Sequence, residues 1–232
     1  MNRAVACLAL LLGVTACRDS AEGIKTQFVG SYTFSTTERR TIARIAVAAA
    51  RDARKQLPAL APQLTLQVRS GKDVIPEIGA RGEASASEFV RWTVDSGRPE
   101  GVVRIAESYL RQALFHEFHH LVRGTAHPAS GLMDSVITEG LATAFERDFA
   151  PAKVPWGEYP DDVSMWVEEL TTQPAEAKSS DWIFRHPDGR RWIGMKAGTY
   201  LVDRAMQQLN RTSAQLVAMP TADILAAANA GR

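Results

Sequence analysis

Three of the five histidines in the chain stand together in His116-Glu117-Phe118-His119-His120. On a helix, residues four apart differ by about 40° in direction and about 6 Å in height, so the imidazoles of His116 and His120 can reach one metal ion above a single face. Glu117 is turned about 100° from His116 and about 60° from His120, flanking that ion without being forced to bind it. H-E-x-x-H on a helix is the pattern of a two-histidine zinc site with the glutamate as general base. Glu139 follows His120 by 19 residues, inside Ile137-Thr138-Glu139-Gly140-Leu141-Ala142. It is the expected third ligand, carried by a second helix that faces back toward the first. Two histidines and one carboxylate, with the fourth position left to water, make a catalytic rather than a structural zinc site. Zn2+ is therefore the expected cofactor, although Mn or Fe suits the same donors. Such a set activates water for attack on a carbonyl, with Glu117 taking the proton and returning it to the departing amine.

These side chains need two neighbouring helices to hold them. Ser108 is read as the cap of a helix running from Tyr109 to about Arg123. A loop with Gly124, Pro128 and Gly131 then leads to a second helix from about Asp134 to Arg147. Glycine inside a helix is unfavourable by about 1 kcal/mol relative to alanine, so Gly140 is expected to mark close packing against the first helix. Asp134 suits an N-cap more simply than a role in orienting a ligand. His119 reads as a buried structural histidine, and His127 and His186, each beside a proline, as surface residues.

Upstream, Ser35 and Glu38 have capping-box spacing before an Ala/Ile/Arg-rich run that reads as a helix to about Gln56. Leu64, Leu66 and Val68 alternate with polar residues as in a strand. Residues 71–82 read as a loop. Phe89 to Val94 and Val102 to Ile105, separated by a Gly/Pro turn cluster, read as a β-hairpin whose second strand could offer an open edge to an extended peptide. Downstream, Asp161 to Leu170, Ala197 to Leu209 and Thr221 to about Ala228 read as helices. The expected class is α+β and zincin-like: a small mixed or antiparallel sheet, an active-site helix and a mainly helical C-terminal half.

With 27 basic and 26 acidic residues in 232, and no basic stripe, nothing favours a nucleic-acid partner. The N-terminus has Arg3, a short apolar run from Ala4 to Leu12 and then Val14-Thr15-Ala16-Cys17. The run is too short to span a bilayer, which takes about 20 residues, and the ending resembles a bacterial lipobox. The expected organisation is a lipoprotein signal peptide over 1–16, a tether over 17–30 lipidated at Cys17, and a single metallopeptidase domain over 31–232. Secretion with Cys17 unmodified is the other reading. Cys7 leaves with the signal peptide, so the metal must be held by His, Asp or Glu. The expected location is the bacterial cell envelope, anchored through lipid, and the oligomeric state is left open.

The segments His116–His120 and Asp134–Phe145 resemble the YjaZ-type family of predicted zinc-dependent proteases, which is similar to the gluzincin branch of zinc peptidases. Residues Trp192–Val202 and Thr212–Leu216, with Pro220 and Ile224, extend the likeness, which runs from about Phe89 to the C-terminus. The resemblance implies a peptide or protein substrate and a hydrogen-bond donor to the oxyanion at Tyr200. The chain departs from the better-known gluzincins at one place: where some carry an acid one turn after the glutamate ligand to orient a histidine, it has Thr143. Two further readings stand beside the peptidase. One is a zinc hydrolase of a non-peptide amide. The other is a zinc-binding envelope lipoprotein acting as a binding or assembly factor with little or no turnover, against which the intact Glu117 argues.

Overall fold

The computed structural model describes residues 23–230 apart from Ser87 and Ala175. The expected signal peptide, the expected lipidation position Cys17 and the first part of the expected tether lie outside the described residues. The chain is α+β, with a four-stranded mixed sheet built early and helices after it.

The strands are β1 (Ile24–Val29), β2 (Leu64–Ser70), β3 (Ala80–Ala86) and β4 (Phe89–Val94), in the spatial order β1-β2-β4-β3. β1, β2 and β4 run parallel, with Leu66 opposite Thr26 on one side and Val90 on the other. β3 is antiparallel to β4 and places Gly82 opposite Trp92. Leu64, Leu66 and Val68 of β2 and Val90, Trp92 and Val94 of β4 are all buried, as period-2 alternation requires of strands with one face on a core.

Helix α1 (Thr36–Gln56) begins with the expected capping box. Ser35 Oγ accepts from Glu38 N at 3.3 Å, and Glu38 Oε2 accepts from Ser35 N at 2.6 Å. Its buried residues, Ile42, Ala46, Ala49, Ala50 and Ala53, form a helical stripe of small side chains that lets α1 join the core of the sheet closely. Leu57 ends it ahead of Pro58, a residue that disfavours helical backbone at the position before it.

The structure departs from four expectations. The second half of the supposed tether is β1, an integral edge strand. The hairpin partner of β4 is β3, which precedes it, and not Val102–Ile105. Those residues belong to α2 (Gly101–Ile105), where Val102 and Ile105 are buried at i, i+3 spacing. Burial on a helical period overrides the β-branched composition. The open edge expected at Val102–Ile105 therefore does not exist. Gly101, at φ 74°, supplies the left-handed turn into α2. No cap at Ser108 interrupts the helical path: α2 passes through a π-helical segment, Ala106–Leu110, into α3 (Arg111–Ala126).

The helical half comprises α4 (Leu132–Phe149), α5 (Val163–Thr171), α6 (Ser179–Ile183), α7 (Ile193–Leu209) and α8 (Thr221–Asn229), packed around a second apolar cluster. The cap of α4 is Gly131 and not Asp134. Asp134 lies in the first turn and accepts from Ser130 N and Oγ, at 3.0 and 2.6 Å, well removed from any ligand role. Arg123, 1% exposed, fastens the end of α3 to the helical half. It donates to Thr138 Oγ1, to the carbonyls of Val217 and Met219, and to Thr221 Oγ1, all between 3.0 and 3.1 Å.

Gly140 packs on α7, not on α3 as expected. A Cβ at Gly140 would sit 2.2 Å from the carbonyl carbon of Gly198, and one at Gly198 would sit 2.1 Å from the Val136 oxygen. The two glycines let the backbones of α4 and α7 touch. Gly140→Ala should destabilise the protein by about 1–3 kcal/mol, the usual penalty for forcing extra volume into a packed interior. Gly124→Ala, where the added carbon meets nothing within 4 Å, should be neutral or stabilising by up to about 1 kcal/mol. Urea unfolding of both variants checks the contrast.

Candidate metal centre

α3 and α4 lie antiparallel, as shown by three cross-helix pairs: Arg123 with Thr138, His116 with Glu139, and Gln112 with Glu146. The helical repeat puts His116 and His120 on the same face of α3, with ring centroids 4.5 Å apart and planes at 81°. Their Nε2 atoms approach to 2.9 Å, and Glu139 Oε2 lies 3.2 Å from that of His116 and 3.6 Å from that of His120.

These separations test whether zinc fits. Bonds of about 2.0–2.1 Å in a tetrahedron put ligand atoms roughly 3.3 Å apart, and the three observed separations bracket that value. The donor chemistry fits as well, since two imidazole nitrogens and a carboxylate oxygen converge on one point. The electrostatics match. Burial alone would keep His116 neutral, but the carboxylates of Glu146 and Glu139 outweigh it and raise its pKa well above the ordinary value. Burial likewise pushes the Glu139 carboxyl up, yet the imidazoles of His120 and His116 bring it down well below the usual carboxylate range. The site favours a positive charge at its centre.

Glu117 stands beside the donors without joining them. Its Oε2 accepts the backbone N–H of Ala84 on β3 at 2.7 Å. A Cβ at Gly82 would lie 2.6 Å from Glu117 Oε1, so the bare backbone there makes room for the carboxylate. Burial raises the Glu117 pKa, partly offset by His116 and His120. That is the direction a general base working near neutral pH requires.

Donors and Glu117 line one cavity of about 440 Å³. The edge of β3 forms one side, with Gly82 and Ala84. Ile78, Trp156, Phe184, Trp192 and Met195 form an apolar wall, and Tyr109 enters from the π-helical segment. Trp192 has φ 63°, a left-handed conformation that is a genuine outlier for so bulky a residue. Strain of this kind is concentrated at ligand-binding positions.

Tyr200, expected from resemblance to donate to the oxyanion, does not line this cavity. It lies on α7 against Tyr159, ring centroids 5.5 Å apart, with the Arg204 guanidinium over its ring. Gly198 is the point where α7 meets α4, and Tyr200, two residues on, is turned roughly 200° away. Tyr109 is the tyrosine the cavity contains. His119 is fully buried beside Phe145 and held neutral, since burial pushes its pKa well below the ordinary value. His127 and His186 are half-buried rather than free surface residues, with His127 Nε2 against the Ala218 carbonyl oxygen.

Thr143 is buried and, among the described residues, its hydroxyl has no hydrogen-bond partner. The acid that Thr143 does not provide is supplied by Glu146, which sequence reasoning missed. Its Oε2 lies 3.0 Å from His116 Nδ1 and also accepts from Gln112 Nε2; its Oε1 accepts from Trp156 Nε1 at 2.6 Å. A signal was present: Glu146 follows Glu139 by seven residues, two turns along the same face of α4.

A pair of imidazoles and a carboxylate around an open coordination position, with a separate acid in the same cleft, has the composition of the metal-dependent hydrolases. The chain belongs to the family described as predicted Zn-dependent protease (DUF2268), whose model matches residues 47–226. That range is wider than the segments from Phe89 onward that carry the likeness by motif, and it takes in part of α1. No curated protein and no solved structure matches the chain.

The wild-type protein should bind one equivalent of zinc. His116→Ala, His120→Ala and Glu139→Ala should each weaken binding by more than the roughly 10–100-fold that losing an outer partner costs. Competition with a chromophoric chelator measures this directly.

Proposed function

We propose that the protein is a zinc-dependent peptidase of the bacterial cell envelope. The observation that carries the reading is Glu117: a buried carboxylate outside the donor cluster, aimed into the same cavity and fixed by the Ala84 amide. A purely metal-storing or structural site has no use for such a group.

Zinc held by His116, His120 and Glu139 would supply Lewis acidity, polarising a carbonyl and acidifying water. Glu117 accepts the proton of the attacking water, and its raised pKa lets it hold that proton until the amine departs. The Ala84 N–H keeps the carboxylate in place throughout. A peptide substrate is supported by the edge of β3. The Ala84 N–H points away from β4, so strand alternation turns the N–H and C=O of Gly82 the same way, toward the cavity. Glu117 takes the Ala84 N–H and Ile75 N–H takes the Ala80 carbonyl, so Gly82 between them is the position at which an extended chain can pair while its side chains meet the aromatic wall. The envelope location is supported by the lipobox-like Val14-Thr15-Ala16-Cys17, with Cys17 as the lipidated residue. No helix among the described residues is long and apolar enough to cross a membrane.

Glu117→Gln should keep zinc affinity within a few-fold while lowering hydrolysis of a peptide library by about 10²–10⁴-fold, the usual worth of a general base. Undiminished hydrolysis would remove Glu117 from the mechanism. Gly82→Ala offers an independent approach from the backbone. The added carbon displaces only the end of a flexible side chain, so the variant should fold and bind zinc yet lose at least tenfold in kcat. Steady-state kinetics beside zinc analysis checks both.

A further inference from the structure

We infer that Glu146 is the positioning residue of the metal centre: it fixes the orientation and tautomer of His116 and ties that ligand to the aromatic wall of the cavity. The inference rests on the zinc reading above and concerns how the ligand is held.

Glu146 is 2% exposed, and its partners explain how a carboxylate is tolerated there. Three N–H groups converge on two oxygens: Gln112 Nε2 and His116 Nδ1 on Oε2, and Trp156 Nε1 on Oε1. Among the described residues its hydrogen-bonding partners include no lysine or arginine. Its oxygens reach the far side of the His116 ring from Nε2, so Glu146 cannot itself join the donor cluster. What it does is accept the Nδ1 proton, so that with a metal bound the Nε2 lone pair would face the point on which Glu139 and His120 converge. A histidine ligand held this way is oriented and made more basic by its outer partner.

The second oxygen gives the arrangement its reach. Trp156 donates to Oε1 at 2.6 Å, and its ring packs 4.9 Å from that of Trp192; both tryptophans line the cavity. The same carboxylate therefore touches a ligand through one oxygen and the wall facing the substrate through the other. Thr143, where some gluzincins carry an acid, could not do this with its hydroxyl.

Glutamine at position 146 offers one oxygen and an amide that must face a donor, so the hub cannot be satisfied. Glu146→Gln should lower zinc affinity by about 10–100-fold in protein shown by circular dichroism to be folded without metal. Glu146→Asp, which keeps the charge, should recover part of the loss. Trp156→Phe, which leaves the His116 contact intact, should lose less than Glu146→Gln. Where the glutamine variant fails to fold, nitrogen-15 NMR of the zinc-loaded wild type decides the matter: His116 should carry its proton on Nδ1. A proton on Nε2, or wild-type zinc affinity in folded Glu146→Gln, would overturn the inference alone. Failure of the wild type to bind zinc at all would overturn it together with the reading it rests on.

Discussion

The contact between α3 and α4 is made of charge buried inside a protein, and everything around it is arranged to make that tolerable. His116, Glu117, Glu139 and Glu146 are all largely removed from water, where an unpaired carboxylate would be strongly destabilising. Each is compensated from a different direction. The sheet offers the Ala84 amide, α3 offers Gln112 and the imidazoles, and the segment after α4 offers Trp156. A cation at the centre would complete the balance. The helices cannot drift apart without leaving one of these groups unpaired, which gives the pair its precision.

Packing behind the pair serves the same end. Gly140 and Gly198 let α7 press its backbone directly against α4, on a face about 100° round the helix from Glu139. Arg123 ties α3, α4 and the start of α8 together through four hydrogen bonds. Neither feature touches the cavity, but both fix the distance across which Glu139 and Glu146 reach their partners.

The chemistry was legible in the sequence because it is local: a spacing of four on one helix and a single acid on the next. The same holds for the Ser35 capping box and for the alternation of Leu64, Leu66 and Val68. What could not be read depends on tertiary context. β3 has the sequence Ala-Arg-Gly-Glu-Ala-Ser-Ala, with no β-branched or aromatic residue, because it is an edge whose small residues make room for Glu117. β1 does carry β-branched and aromatic residues, Ile24, Thr26, Phe28 and Val29, but one six-residue run after a polar stretch becomes a strand only through its pairing with β2. Val102–Ile105 misleads in the opposite sense, since its β-branched side chains fill the core from a helix. Glu146 belongs to no short motif, and its role depends on donors from two other segments.

The place of β1 carries a consequence for reach. Only Arg18 to Gly23 separate Cys17 from β1, and six residues of fully extended chain measure at most about 20–22 Å. Should Cys17 carry acyl chains, this leash would moor the domain by β1, while the cleft opens beside β3. With β2 and β4 between them, the two borders stand roughly 14 Å apart. Cleavage would then be confined to a shallow layer above the bilayer, on the flank of the sheet opposite the mooring.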